Sequence, residues 1–192
     1  MHQSKTVAQI IADMEAAPGE TMWAKRVRYL NPHHFVELGT GDGASGIAIM
    51  AALPEGSRFT TIDCRNIFGK VFAPWADDRR LRIVAGDTID HSTPRQFDAD
   101  IDLLYIDTHH VAWHAATELR MWQAKMVDGA LVIVDDLHQN DMKLFWESIP
   151  YDKQRCMMNQ GIFRYDAGKP YTEHFARPEN PQLYSAWYSK GN

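Results

Sequence analysis

Asp107 closes the apolar run IDLLYID (101–107), and Asp135 and Asp136 close a second, ALVIVDD (130–136); His109 and His110 follow the first. If the two runs are neighbouring strands, they lie about 4.8 Å apart. Three carboxylates then converge on one small volume with imidazoles beside them. Unpaired, they repel and raise one another's pKa. A divalent cation relieves that repulsion, and an all-oxygen set suits Mg²⁺, Mn²⁺ or Ca²⁺ better than zinc. A neutral His110 beside the acids has the chemistry of a general base. Adjacent strand residues point to opposite faces, so Asp135 and Asp136 meet only if the strand bends there. Separate surface acids and caps are the plainer reading of the same residues.

The histidines offer a second arrangement. A helix over 109–126 puts His110 and His114 one turn apart, a spacing that can hold zinc. No Glu follows His110 in an HExxH pattern, which counts against it. At the start of that helix the positive dipole end disfavours protonated His110.

A third chemical feature is the loop FVELGTGDGASG (35–46). Glycine leaves no Cβ between backbone and ligand. A phosphate loop requires Lys-Ser or Lys-Thr after the last glycine, and none is present. Gly39, Gly41 and Ala44 satisfy the dinucleotide spacing, so a nicotinamide cofactor stays open. Glu37 before the loop and Asp42 within it would repel a pyrophosphate and favour a cofactor with a cationic end. Asp63, at the end of RFTTID (58–63), can accept both hydroxyls of a ribose. Asp87 and Thr88, after LRIVAG (81–86), can face an adenine amino group or simply form a turn.

Elements alternating along the chain must position these groups. Ser4 is placed to cap a helix carrying Val7, Ile10, Ile11 and Met14, which Pro18-Gly19 ends, and a second helix covers Thr21 to Leu30. Strands are expected at 34–38, 58–63, 81–86, 101–107 and 130–136. Helices are expected at Ala44 to Leu53, Ile67 to Trp75, 109–126 and 140–148. RCMMNQGIFRYD (155–166) reads as a hairpin with Gly161 near its turn. The expected fold is therefore α/β: a Rossmann-like, doubly wound, mostly parallel seven-stranded sheet with a C-terminal antiparallel hairpin and helices on both faces. Ligands of such sheets sit beyond the carboxyl ends of the strands, where all the acids above lie.

With 192 residues, 45% hydrophobic and 23% charged, one domain over 1–192 is expected. It divides into N-terminal helices (1–30), a core (33–166) and an irregular tail or lid (167–192). A formal net charge of -5 without a Lys/Arg block disfavours a nucleic-acid substrate. Two cysteines make no disulfide framework, and neither a signal peptide nor a membrane-length apolar run is found, so a cytoplasmic protein is expected. The tail residues Tyr171, Phe175, Tyr184, Trp187 and Tyr188 read as a binding segment, a segment packed over the sheet edge, or a homodimer contact.

The set ELGTGDG, ID, GD, IDxxH and VDD, each at a strand end, resembles class I S-adenosylmethionine-dependent methyltransferases. Within them it is similar to the small metal-dependent O-methyltransferases of the macrolide-sugar and cephalosporin-hydroxylase-like branch. The resemblance covers about residues 33–166. It implies that Glu37, Gly39 and Gly41, with Thr40 and Gly43 in the same loop, hold the methionine end of S-adenosylmethionine. It further implies ribose at Asp63, adenine at Asp87 and Thr88, Mg²⁺ or another divalent cation at Asp107, Asp135 and Asp136, and catalysis by His110 with Asp107. His109 competes with His110 for the role of base. The implied reaction is O-methylation of a small hydroxylated acceptor, a sugar or a phenol. A nicotinamide oxidoreductase and a non-catalytic domain of the same fold are the alternatives.

Overall fold

The computed structural model describes residues 4–65 and 71–177. Seven strands form one sheet: β1 (His34–Leu38), β2 (Arg58–Asp63), β3 (Leu81–Ala85), β4 (Ile101–Ile106), β5 (Met126–Val134), β6 (Lys153–Arg155) and β7 (Gly161–Arg164). Their order is β3-β2-β1-β4-β5-β7-β6. The first five run parallel, and β7 joins β5 and β6 antiparallel. The expected fold class is the observed one.

Strand periodicity divides the core between two faces. Val36, Leu38, Leu104, Ile106, Val132 and Val134 point to one side. There they meet α5 (Ala112–Trp122) and α6 (Met142–Ser148), through Ala115, Leu119, Trp122 and Phe145. Phe35, Leu103, Tyr105, Leu131 and Ile133 point to the other. That face is covered by α1 (Val7–Ala16), α2 (Met22–Leu30) and α3 (Ala44–Ala52), through Val7, Ile10, Trp23, Val27 and Ile49. Each such fully buried side chain contributes roughly 1.5–3 kcal/mol. Between β3 and β4 a single helical turn, α4 (Ser92–Arg95), fills the Pro-containing connection.

Several local expectations are corrected. Thr6, not Ser4, caps α1: its hydroxyl accepts from Gln9 N while the Gln9 side chain accepts from Thr6 N. This reciprocal capping box outcompetes a lone serine two residues earlier. The helix expected at 109–126 is shorter and closes in a 3₁₀ turn, Gln123–Lys125. The strand expected at 130–136 runs from Met126 to Val134, so Asp128-Gly129 lies inside β5, where the chain passes a register shift against β4. The hairpin forms as expected, with Gly161 next to its turn as the first residue of β7, and Met158 and Asn159 take the positive φ within the turn. A Cβ at Gly161 would come within 2.5 Å of Trp146, which explains the glycine. Of the helix expected at Ile67 to Trp75, residues 67–70 lie outside the described residues, and Ala73–Trp75 is a 3₁₀ turn.

The described part of the tail lies over α5 and α6. Tyr171 is buried, its ring edge-on to Phe145 and its hydroxyl bonded to Ser148 Oγ. Arg177 stacks on Trp113. Tyr184, Trp187 and Tyr188 lie outside the described residues. Among the described residues no helix is long and apolar enough to cross a membrane.

The capping assignment is directly testable. Thr6→Ala is expected to cost about 1 kcal/mol in urea-unfolding free energy, and Ser4→Ala to change it by no more than a few tenths. Equal losses at both positions would contradict the cap.

Candidate active site

The strand order reverses between β1 and β4, whose following connections leave in opposite directions. This is the crevice where open α/β sheets bind ligands. The loop after β1 has three glycines with positive φ, and the structure separates their reasons. A Cβ on Gly39 would lie 1.9 Å from the carbonyl oxygen of Asp107, and one on Gly43 would lie 2.2 Å from Val71. The chain itself excludes side chains there. Gly41 has nothing within 4 Å of that position, so it is the glycine that borders open space.

Glu37 is fully buried, with Ser45 Oγ donating to one oxygen and Thr61 Oγ1 to the other, at 2.5 and 2.6 Å. Thr40 is buried as well, its hydroxyl 2.6 Å from that of Thr61. Both residues stiffen the loop from beneath and present no free side-chain oxygen at its surface. Burial pushes the Glu37 carboxyl up to about 8, against the pull of Ser45 and Thr61. Asp63, at the end of β2, accepts from Gly41 N at 3.1 Å and from the backbone and guanidinium of Arg65. Burial alone would raise its pKa, but these bonds hold it below the usual carboxylate range.

Asp87 is exposed and accepts from Ile89 N in its own turn. Thr88 is buried and points inward, its hydroxyl 2.5 Å from Glu118. Glu118, fully buried on α5, also accepts from Thr108 and lies 3.3 Å from His114. His109 packs edge-on against the His114 ring, 4.4 Å between centroids.

The acids after β4 and β5 do converge. Val134 ends β5, and Asp136 takes φ 49°, a left-handed turn that Asp tolerates. That turn supplies the bend which both acids required. His110 lies between two of them: Nε2 is 3.0 Å from Asp107 Oδ1, and Nδ1 is 3.7 Å from Asp136 Oδ2. Tyr105 stands between Asp107 and the third acid, its hydroxyl 2.6 Å from Asp135 Oδ2 and 3.0 Å from Asp107 Oδ2.

His110 is not a helix residue. The helix begins at Ala112, and His110 has φ 49° in the loop before it. The zinc spacing with His114 and the dipole effect both assumed a helix already begun, so neither holds. Burial lowers the His110 pKa, yet the Asp107 bond and the charges of Asp107, Asp136 and Asp135 more than reverse this, and the net shift is upward. Asp107 is raised too, by burial first and by Asp135, with the His110 and Tyr105 bonds pulling it back.

Residues 36–137, just over half of the chain, match a family described as a methyltransferase domain. The chain belongs to that methyltransferase family. A search of curated proteins finds no match. Among solved structures, a methyltransferase from Geobacter sulfurreducens is similar, with a TM-score of 0.61 at 16% identity over 83% of this chain and 89% of that one. An O-methyltransferase from Bacillus cereus in complex with SAH gives 0.60 at 13% identity, over 85% and 92%. The O-methyltransferase TomG from Streptomyces achromogenes, in complex with SAM, gives 0.55 at 14%, over 84% and 90%. At these identities the likeness is one of fold.

Within this methyltransferase domain, the metal expected at Asp107, Asp135 and Asp136 does not fit the side chains as they stand. One Asp107 oxygen faces His110, and the other shares the single Tyr105 hydroxyl hydrogen with Asp135. Asp135 faces Tyr105 and the backbone N–H of Asp136. Asp136 accepts from Gln139 Nε2, and its other oxygen is 3.7 Å from His138. Among the described residues no group of three or more His, Cys, Asp or Glu is placed to hold a metal ion. The repulsion that called for a cation is met by hydrogen-bond donors of the chain.

Sequence reading missed Ser45, Thr61, Tyr105 and Glu118. Tyr105 and Glu118 sit at apolar-stripe positions, where a polar tip is invisible to periodicity. The i,i+4 relation of His114 and Glu118 was the one available signal.

Glu37 yields a pH prediction. Its pKa in the fold, about 8, exceeds its ordinary 4.5. Its contribution to stability is therefore fully present below pH 4.5 and is lost as pH rises through about 8. Relative to wild type, Glu37→Gln should gain stability across that window, by several kcal/mol at its alkaline end. Parallel urea-unfolding curves for both proteins over the pH series check this; a constant difference would refute it.

Proposed function

We propose that this methyltransferase carries a methyl group from S-adenosylmethionine to a hydroxyl oxygen of a small molecule, with His110 as general base. The observation that carries the reading is the His110–Asp107 pair placed directly behind the glycine loop, where Gly39 touches the Asp107 carbonyl. The open space at Gly41, beside the Asp63 carboxylate, fits an adenosyl cofactor. The Bacillus and Streptomyces enzymes, solved with SAH and SAM, lend support through a shared fold. When bound, S-adenosylmethionine supplies a methyl group on a sulfonium sulfur.

The chain's own residues do the rest. Asp63 receives the ribose hydroxyls once Arg65, half exposed, turns aside. Asp87, exposed beside the same crevice, is the residue left to meet the adenine amino group, with Thr88 shaping the wall from behind. Gly39, Gly41 and Gly43 give the methionine end its approach, and Glu37 with Thr40 fixes their path. Asp107 accepts the Nε2 hydrogen of His110 and so fixes the neutral tautomer. Nδ1 keeps its lone pair and takes the proton of the acceptor hydroxyl. Holding base and acceptor together supplies much of the rate. His109, turned onto His114, is not the base in this reading. A sugar or phenol is the proposed acceptor class, and the cytoplasm the proposed location, from a composition with two cysteines and no basic block.

Two measurements test this. Calorimetry should show S-adenosylhomocysteine binding and no NADH binding, and Asp63→Ala should weaken the former at least about tenfold, or 1.4 kcal/mol. NADH binding in its place would sink the proposal. With an acceptor identified by screening phenols and sugars for S-adenosylhomocysteine release, kcat/KM should rise with pH through an inflection above 6.5, the ordinary imidazole value. Asp107→Asn should move that inflection down, and His110→Ala should abolish it. Full turnover by His110→Ala would exclude the base.

A further inference from the structure

A buried cation lies two side chains away from the acids. Arg26, on α2, is 3% exposed. Its Nη1 donates to Gln160 Oε1 at 2.5 Å and its Nη2 to Cys156 Sγ at 3.6 Å, and the guanidinium lies 5.0 Å from the centre of the Trp23 ring. No carboxylate among the described residues forms a salt bridge with it. A guanidinium stays ionised at any ordinary pH. A full positive charge is therefore held out of water against an amide, a thiol and a ring, which is strongly unfavourable unless a counter-charge is near.

The counter-charge stands at the far end of a relay. Gln160, also 3% exposed, donates from Nε2 to the Tyr105 hydroxyl at 3.4 Å. That hydroxyl faces Asp135 and Asp107. Trp23 links the same two ends, its ring edge-on to Tyr105 at 4.6 Å. Burial pulls the Arg26 pKa down, and Cys156, Tyr105, Asp135 and Glu15 oppose it.

The direction of the relay is forced. A guanidinium only donates, so Gln160 must turn its carbonyl oxygen to Arg26. Its NH₂ is then left for the Tyr105 oxygen. With that lone pair occupied, the Tyr105 hydrogen points on to the acids. One arginine thus supplies both the charge and the polarity of the chain of bonds.

We propose that Arg26 is the built-in counter-cation of the Asp107–Asp135 pair, acting through Gln160 and Tyr105, and that this site is therefore independent of divalent metal. Arg26 is a positioning residue, reaching the acids only through other side chains. The inference deepens the proposed function and rests on it only for the cofactor product used in one arm of its test.

Melting of the full-length protein is followed in millimolar MgCl₂ and in EDTA. Wild type should melt at one temperature in both, and S-adenosylhomocysteine should bind with a Kd that agrees within about twofold between them. Arg26→Met should melt lower, and Mg²⁺ should raise its melting temperature by about 3 °C or more. Arg26→Lys, which keeps a donor-only cation, should stay unresponsive to Mg²⁺. A merely structural Arg26 would lose stability on substitution without acquiring a Mg²⁺ response, and that result overturns the proposal. So does a wild type that Mg²⁺ stabilises. Should Arg26→Met fail to fold, Gln160→Leu cuts the relay with the arginine in place and should gain the same response; its indifference to Mg²⁺ also overturns the proposal. Failure of wild type to bind S-adenosylhomocysteine in either buffer counts against the proposed function alone, because the melting arms do not depend on it.

Discussion

The closest approach in the crevice is between two pieces of backbone. The end of β1 runs so near the end of β4 that a Cβ on Gly39 would lie 1.9 Å from the carbonyl oxygen of Asp107. Gly39 N–H bonds to Ile62 O on one side, and Asp107 N–H bonds to Leu38 O on the other. The loop that faces a cofactor and the acid that orients His110 are therefore not separate devices brought near each other by folding. They are two sides of one backbone contact at the reversal of strand order. Any displacement of the loop moves Asp107, and with it the imidazole.

Around that contact the chain buries an excess of carboxyl groups, and the arrangement follows from how each is satisfied. Glu37 and Glu118 are both fully buried, and each is met by hydroxyls: Ser45 and Thr61 for the first, Thr88 and Thr108 for the second. Hydroxyls can reorient as the Glu37 carboxyl gains or loses its proton, so that site requires no nearby cation, while Glu118 also has the His114 imidazole 3.3 Å away. Asp63 has Arg65. Asp107, Asp135 and Asp136 share His110 and Tyr105, and the charge beyond them is Arg26.

The central strands were legible because burial on both faces leaves a nearly continuous apolar run, as in IDLLYI (101–106) and ALVIV (130–134), while HFVEL (34–38) and RFTTID (58–63) were read with the boundaries found in the structure. The convergence of acids followed from the same logic, since parallel strands deliver their last residues to one edge. What stayed hidden depends on side-chain direction and local φ. Thr88 in a strand-end Asp-Thr pair gives no sign that it turns inward to Glu118. His110 looked like the first residue of a helix because polar residues occupy such positions; its positive φ, two residues before the helix, is a tertiary outcome. Tyr105 sits where strand periodicity demands an apolar residue, and its ring obeys. Only its hydroxyl, carried one residue further along the strand direction, reaches the acids. The three metal ligands were expected by charge counting, and that counting omitted every neutral donor.

Arg26 changes what the N-terminal helices are for. In the sequence it stands in Lys25-Arg26-Val27-Arg28, three basic residues in four, as in Arg79-Arg80-Leu81-Arg82. The helix turns Trp23, Arg26 and Val27 inward at i, i+3 and i+4, one stripe with a charge in its middle. A stripe needing only to cover the β1–β5 face would be apolar throughout, and replacing a buried ion by packed hydrophobic groups often costs nothing in stability. The arginine is therefore poorly explained as a stability device. Its bonds run to the hairpin before β7, through Gln160 and Cys156, and from there to the edge of β4 and β5. Helix α2, the C-terminal hairpin and the acid site are thereby one electrostatic unit, though they are far apart in sequence. The two segments flanking the parallel core are the parts of the chain that set the charge at its edge.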